Sequence, residues 1–142
     1  MRRTVLALLA LEAGRVVEAE RLLDMAWNGN PPSSGLSSLR FHISKLRQDL
    51  PADLIETVVG GYQLHATTDV RLVEQGVAGV GLLSQWRGEP LIGASPCAVL
   101  DRERERLGEL RLRVAEQAFA KLIDDGEAST VIPELRQLCL EH

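Results

Sequence analysis

The segment Ser33–Leu64 decides the reading of this chain: SSGLSSLRFHISKLRQDL (33–50) runs directly into PADLIETVVGGYQL (51–64). Its first part carries Leu36, Leu39, Ile43, Leu46 and Leu50 at helical spacing. At about 100° per residue these side chains fall within an arc of roughly 80°, the width of a core-facing stripe. Ser37, Phe41, Ser44, Lys45 and Gln48 fall on the opposite side, with Ser38 at its edge. The run Asn28-Gly29-Asn30-Pro31-Pro32 stops the preceding element, and Ser33 or Ser34 stands where a hydroxyl caps the new helix. Beyond it, Leu54–Thr57 and Tyr62–His65 read as two short strands around Gly60-Gly61.

A locally basic amphipathic helix (Arg40, Lys45 and Arg47 against Asp49) followed by a hairpin is the order of a winged helix-turn-helix. In that arrangement the helix lies in the DNA major groove and the hairpin is the wing. Small hydroxyls, a lysine and an amide suit a groove-facing surface, because they permit close approach and bond to base edges or phosphates. Arg40 and Arg47 flank the core arc, where a phosphate clamp and a solvated surface role are both open to them. Phe41 has two readings. It packs under the wing or a neighbouring element, or it meets a thymine methyl or sugar in the groove. His42, on the helix flank, reads as a structural or phosphate-contacting histidine.

Working upstream, residues 3–13 (RTVLALLALEA) form a helix with a broad apolar face, stopped by Gly14. Arg15-Val16-Val17 is a short β-branched strand, and Glu18–Trp27 has apolar residues at helical spacing. Downstream, His65–Asp69 is a polar joint, placing a domain boundary near residue 66. Val70–Trp86 reads as a helix weakened by Gly76, Gly79 and Gly81, and Arg87–Pro96 as a Gly/Pro loop. Ala98–Ile123 is a long helix with Leu107, Leu110, Val114, Ala115, Ala118, Phe119, Leu122 and Ile123 on its core face and a Glu109–Arg113 pair one turn apart. A final helix opens at Ser129 with Val131, Ile132, Leu135 and Leu138 inward. Its apolar face has no successor to cover it, so the chain reads as cut short.

Composition narrows the function further. The net charge of −4 lies wholly in residues 67–142, whereas residues 1–66 balance seven basic against seven acidic side chains. A neutral DNA-binding half predicts modest nonspecific affinity, since affinity follows the number of phosphates neutralised. Cys97 and Cys139 have no paired spacing, which excludes a disulfide framework or a zinc site. His42, His65 and His142 have no convincingly placed nucleophile or carboxylate, so neither an enzyme nor a metal or cofactor site is expected. Gly76-x-x-Gly79-x-Gly81 follows no strand and is not a dinucleotide loop. The apolar run after Met1-Arg2-Arg3 is broken by Glu12, so it is no signal peptide. With no transmembrane-length stretch the chain is expected to be cytoplasmic, with no membrane partner.

HISKLR (42–47) followed by TVVGGYQL (57–64) resembles the OmpR-type winged-helix DNA-binding domain. Gly14-Arg15-Val16-Val17 and Arg21-Leu22-Leu23-Asp24 with Trp27 resemble its version in antibiotic-regulatory (SARP-type) activators. Trp86-Arg87-Gly88-Glu89-Pro90-Leu91, Asp101–Arg113 (DRERERLGELRLR) and Val131–His142 resemble the bacterial transcriptional activator domain, an all-helical, TPR-like module. The resemblance implies a mainly α fold: a winged-helix domain over residues 1–66 and a partial activator domain over 67–142. It implies a sequence-specific transcriptional regulator, an activator binding promoter repeats in double-stranded DNA, often as a homodimer, and contacting RNA polymerase. It places base or phosphate contacts at Ser37, Ser38, Phe41, Ser44, Lys45 and Arg47, with a wing contact near Thr57; helix geometry adds Arg40 and Gln48. The loop Asn28–Ser34 corresponds to a polymerase-facing segment in related regulators.

Three departures from the family pattern are visible. The sheet that precedes the first helix is absent from this sequence, Val58 or Val59 replaces a wing arginine, and the first helical hairpin after residue 69 is short. Such a truncated pattern gives an alternative: a degenerate regulator acting as a protein–protein interaction module without DNA binding.

Overall fold

In a computed structural model the described residues are 1–51, 53–74 and 88–126, together with Ile132. Three helices and a three-stranded sheet build the first half: α1 (Arg2–Leu11), β1 (Val16–Glu18), α2 (Ala19–Ala26), α3 (Gly35–Asp49), β2 (Ile55–Val58) and β3 (Gly61–Leu64). Among the described residues two further helices follow, α4 (Asp69–Glu74) and α5 (Ala98–Asp124). The winged-helix reading and the mainly helical class hold, with element ends within a few residues of expectation.

Leucine and alanine, both strong helix formers, make up most of α1. Val5, Leu8 and Leu9 of α1 meet Leu22 of α2 and Leu39 and Ile43 of α3 in one core, each at most 2% exposed. Full burial of such a side chain contributes about 1.5–3 kcal/mol. Exposed ion pairs such as Arg2–Asp49, at 3.0 Å, contribute about 0–1 kcal/mol. Apolar burial therefore holds the three helices together, and the ion pairs at most trim their angles.

The sheet has the order β1-β3-β2, antiparallel throughout. In the hairpin Ile55 faces Leu64 and Val58 faces Gly61, leaving Val59 and Gly60 as the turn. β1 joins the other edge of β3, pairing Val17 with Tyr62. Alternation places Val17 on the core between exposed Val16 and Glu18.

Some expectations are corrected. Leu36 lies in the apolar arc by angle but, at the first turn of α3, is 39% exposed. Ser34 is the cap residue of α3, yet no serine side chain bonds the helix backbone; its hydroxyl lies 3.4 Å from that of Ser38. Ile123, assigned to the core face of α5, is 56% exposed, whereas Leu107, Val114, Ala115, Ala118 and Phe119 are buried as expected. Among the described residues the ion pairs of α5 join Arg104 to Asp101 and Arg106 to Glu103 and Glu74, not Glu109 to Arg113. The helix expected over Val70–Trp86 begins as α4, where Thr68 Oγ1 accepts the Arg71 N–H at 3.3 Å. Its remainder, the glycine pattern at 76–81 and all of the final helix except Ile132 lie outside the described residues.

The core does not stop at residue 66. Cys97, 2% exposed, and fully buried Leu100 belong to the same cluster as α1–α3. Buried Thr4 accepts the Ser95 N–H on Oγ1 at 2.9 Å, fixing the loop before α5 against α1. Arg71 reaches back to the Ala13 carbonyl at 3.3 Å. The start of the helical half thus packs directly on the winged helix.

Candidate nucleic-acid interface

With Leu39, Ile43 and Leu46 turned into the core, α3 presents Ser37, Arg40, Phe41, Ser44 and Gln48 as exposed side chains. Ser38, Lys45 and Arg47 are half-buried at the margins of this face. The helical angle thus brings all eight sequence-chosen residues of α3 to one side or its borders. Thr57, the ninth, stands exposed on β2 beside them. Arg40, Ser44, Arg47, Gln48 and Thr57, with Ile43 and Tyr62 at the floor, line a concavity of about 460 Å³ between helix and wing.

Phe41 is 57% exposed, which removes the reading that it packs under the wing. Its ring meets His42 edge-on at 5.6 Å, and Lys45 Nζ stands 5.9 Å from its centroid. On its other side His42 lies 6.1 Å from Trp27 of the α2–α3 connection. The His42 Nδ1 atom is buried without a hydrogen-bond partner. Burial first, and then the charges of the amino terminus and Arg2, lower its pKa below the ordinary 6.5. The shift favours the neutral imidazole, which lies between the rings of Trp27 and Phe41.

Charge on the face is sparse and partly committed. Lys45 Nζ donates to Gln48 Oε1 at 3.0 Å, which lays both side chains along the helix. Asp49, the acid of α3, is neutralised by Arg2 of α1 at 3.0 Å. Arg47 Nε donates to the Ile55 carbonyl at 2.9 Å, and its Nη2 donates to Thr57 Oγ1 at 2.7 Å. Sequence reasoning placed Arg47 and Thr57 on the interface separately but missed their bond, because only the folded hairpin brings the two residues together. It also missed Tyr62, a core residue of β3 that lines the same concavity. At the wing tip Val59 is fully exposed, in the segment where the family pattern carries an arginine.

Among the described residues no group of His, Cys, Asp and Glu is placed to hold a metal ion, and no helix is long and apolar enough to cross a membrane.

Residues 2–64 match the family described as transcriptional regulatory protein, C terminal, and residues 64–142 match the bacterial transcriptional activator domain. The chain is 29% identical to the regulatory protein AfsR of Streptomyces coelicolor over 99% of this chain and 16% of AfsR. It is also 29% identical to the transcriptional regulator RedD of the same organism, over 99% of this chain and 48% of RedD. The solved structure of Mycobacterium tuberculosis EmbR in complex with a low-affinity phosphopeptide superposes with a TM-score of 0.76 at 25% identity, covering 99% of this chain and 44% of that one. The chain thus spans less than half the length of each of these relatives. With both families matched, in the order winged helix and then activator domain, the chain belongs to the SARP-type transcriptional regulators, a non-enzymatic family.

Proposed function

We propose that this chain is the DNA-reading portion of a transcriptional activator, with α3 entering the major groove of promoter repeats. The observation that carries the proposal is the exposed face Ser37, Phe41, Ser44 and Gln48, bordered by Arg40 and Lys45 and set against the wing. Hydroxyls and the Gln48 amide are then the base-reading groups, Phe41 the contact for a thymine methyl, and the cations the phosphate contacts. Ser38 borders the same groove, and Thr57 brings the wing to the backbone. The helical half, including α5, serves dimerisation or contact with RNA polymerase, and the segment Asn28–Ser34 is the part of the first half turned towards polymerase.

Selection of bound fragments from a sheared genomic library at moderate salt tests this reading. Recovery of a repeated motif is the expected result. Recovery of no motif leaves the second reading, an interaction module without DNA binding. Two observations favour that alternative: the apolar, fully exposed wing tip at Val59 and the zero charge balance of residues 1–66.

A further inference from the structure

We infer that Arg47 is a positioning residue that holds the wing at a fixed distance from the recognition helix and aims the Thr57 hydroxyl at the DNA backbone. The inference rests on the DNA-binding reading above, but its structural half concerns the free protein.

The argument starts from donor bookkeeping. A guanidinium offers a planar fork of N–H donors, suited to holding two acceptors at once. Here Nε takes the Ile55 carbonyl and Nη2 takes Thr57 Oγ1, two residues further along the same strand. Both bonds run from α3 to β2, so one side chain clamps two points of the wing. Arg47 is half-buried in this position, and its bond to Ile55 is partly shielded from water. Leaving that clamp for a phosphate would break two charge-assisted bonds, the stronger class of hydrogen bond.

The consequence falls on Thr57. Its oxygen accepts from Arg47, which fixes the lone pair in use and leaves the hydroxyl hydrogen free to donate. Thr57 is exposed and lines the concavity between helix and wing, so that donor faces the side on which DNA would lie. The nearby guanidinium polarises the hydroxyl and strengthens it as a donor to an anionic oxygen. Arg47 thereby supports DNA binding without itself neutralising a phosphate.

The test uses the full chain and a duplex from the most enriched class of the genomic selection. Arg47→Gln and Thr57→Val are each expected to weaken binding by roughly tenfold, the scale of one lost charge-assisted bond. The double variant is expected to be little worse than either single one, because both remove the same link. Thr57→Ser keeps the hydroxyl and is expected to bind like the parent. Arg47→Lys is expected not to restore binding, since an ammonium cannot reproduce the fork. The salt slope of Arg47→Gln is expected to stay that of the parent.

A slope lowered by about one ion, or full binding by Arg47→Lys, would mean direct phosphate contact and overturn the inference. Hydrogen exchange on the free protein supplies the second arm. Amides of residues 55–64 are expected to exchange faster in Arg47→Gln, and unchanged exchange refutes the clamp. Should the parent bind no duplex at all, the functional reading fails while the exchange arm still decides the clamp.

Discussion

Asn28 and Ala98, 70 residues apart, are joined by a hydrogen bond from the Ala98 N–H to Asn28 Oδ1 at 3.3 Å. Ala98 is the first residue of α5, whose cap residue Cys97 makes no side-chain bond to the helix. The cap is therefore supplied from the turn that ends α2. Asn28 holds a left-handed backbone, φ 53°, a conformation that asparagine tolerates better than most residues. One residue thus serves both the turn leading into α3, through its backbone, and the start of the helical half, through its side chain.

Replacing this cap has a graded outcome. Asn28→Asp keeps an acceptor beside the helix N-terminus and is expected to be neutral or slightly stabilising. Asn28→Gly keeps the backbone but loses the bond, at a cost of about 1 kcal/mol. Asn28→Ala loses both and is expected to cost about 2 kcal/mol. Urea unfolding followed by circular dichroism gives the order, and an Ala variant as stable as the Gly variant would remove the backbone contribution.

The shared core makes a stronger demand. Leu100 is fully buried in the cluster that also contains Leu8, Leu9 and Leu39. Leu100→Ala is expected to destabilise by about 2–5 kcal/mol through lost transfer energy and the cavity left behind. Because the cluster spans both halves, the loss is expected in the transition that unfolds the winged helix. Trp27 fluorescence, in a variant with Trp86 replaced, reports that transition; an unshifted midpoint would show that the helical half only leans on the first.

Phe41 offers the opposite case, an apolar side chain outside the core. At 57% exposure its removal leaves little cavity, so Phe41→Ala is expected to change stability by no more than about 0.5 kcal/mol. Base preference at one position of the selected motif is expected to relax, a loss of about 1–3 kcal/mol of discrimination. A motif unchanged in repeated selection would show that the ring serves only to cover His42.

What was legible in the sequence follows from what each signal encodes. Periodicity gives the angle of a side chain about its helix, and it turned Leu39, Ile43 and Leu46 inward correctly. It carries no information on whether a neighbour exists at that height, which is why Leu36 and Ile123 were misjudged. Paired glycines marked the hairpin, but the third strand depends on Val17 meeting Tyr62 across a long stretch of chain. Polar composition at 65–69 suggested a boundary, whereas the burial of Leu100 among α1–α3 is a long-range fact that composition cannot hold. The exposed face of α3 was legible for the same reason as the core, being its complement. The commitment of Arg47 to Ile55 and Thr57 was not, because it depends on the tertiary placement of the wing.

His42 gives the chain a pH dependence of defined sign. Its folded-state pKa lies below the ordinary 6.5, chiefly through burial and secondarily through the amino terminus and Arg2. Between the two values the unfolded chain binds more protons than the folded one, so stability falls as pH falls. The contribution is fully present above 6.5 and is lost as pH drops through the folded value. Urea midpoints at about pH 7.5 and about pH 5.5 are expected to differ more for the parent than for His42→Phe, which keeps a ring between Trp27 and Phe41. Equal losses in both would assign the effect to other groups.

Adjacent glycines in the wing are expected to respond differently to the same substitution. Gly60 has φ 82°, and a Cβ placed there meets nothing within 4 Å. Gly60→Ala therefore carries only the left-handed backbone cost, about 1–2 kcal/mol, and Gly60→Asn less. Gly61 has an ordinary backbone, but a Cβ there would overlap the Val17 carbonyl across the β1–β3 pair. Gly61→Ala must push β1 away from β3, and with it Val17 out of the core. It is expected to cost more than Gly60→Ala and to raise hydrogen exchange at the β1–β3 pairs as well as in the hairpin. If Gly60→Ala proved the more damaging of the two, close packing of β1 on β3 would not be what requires glycine at position 61.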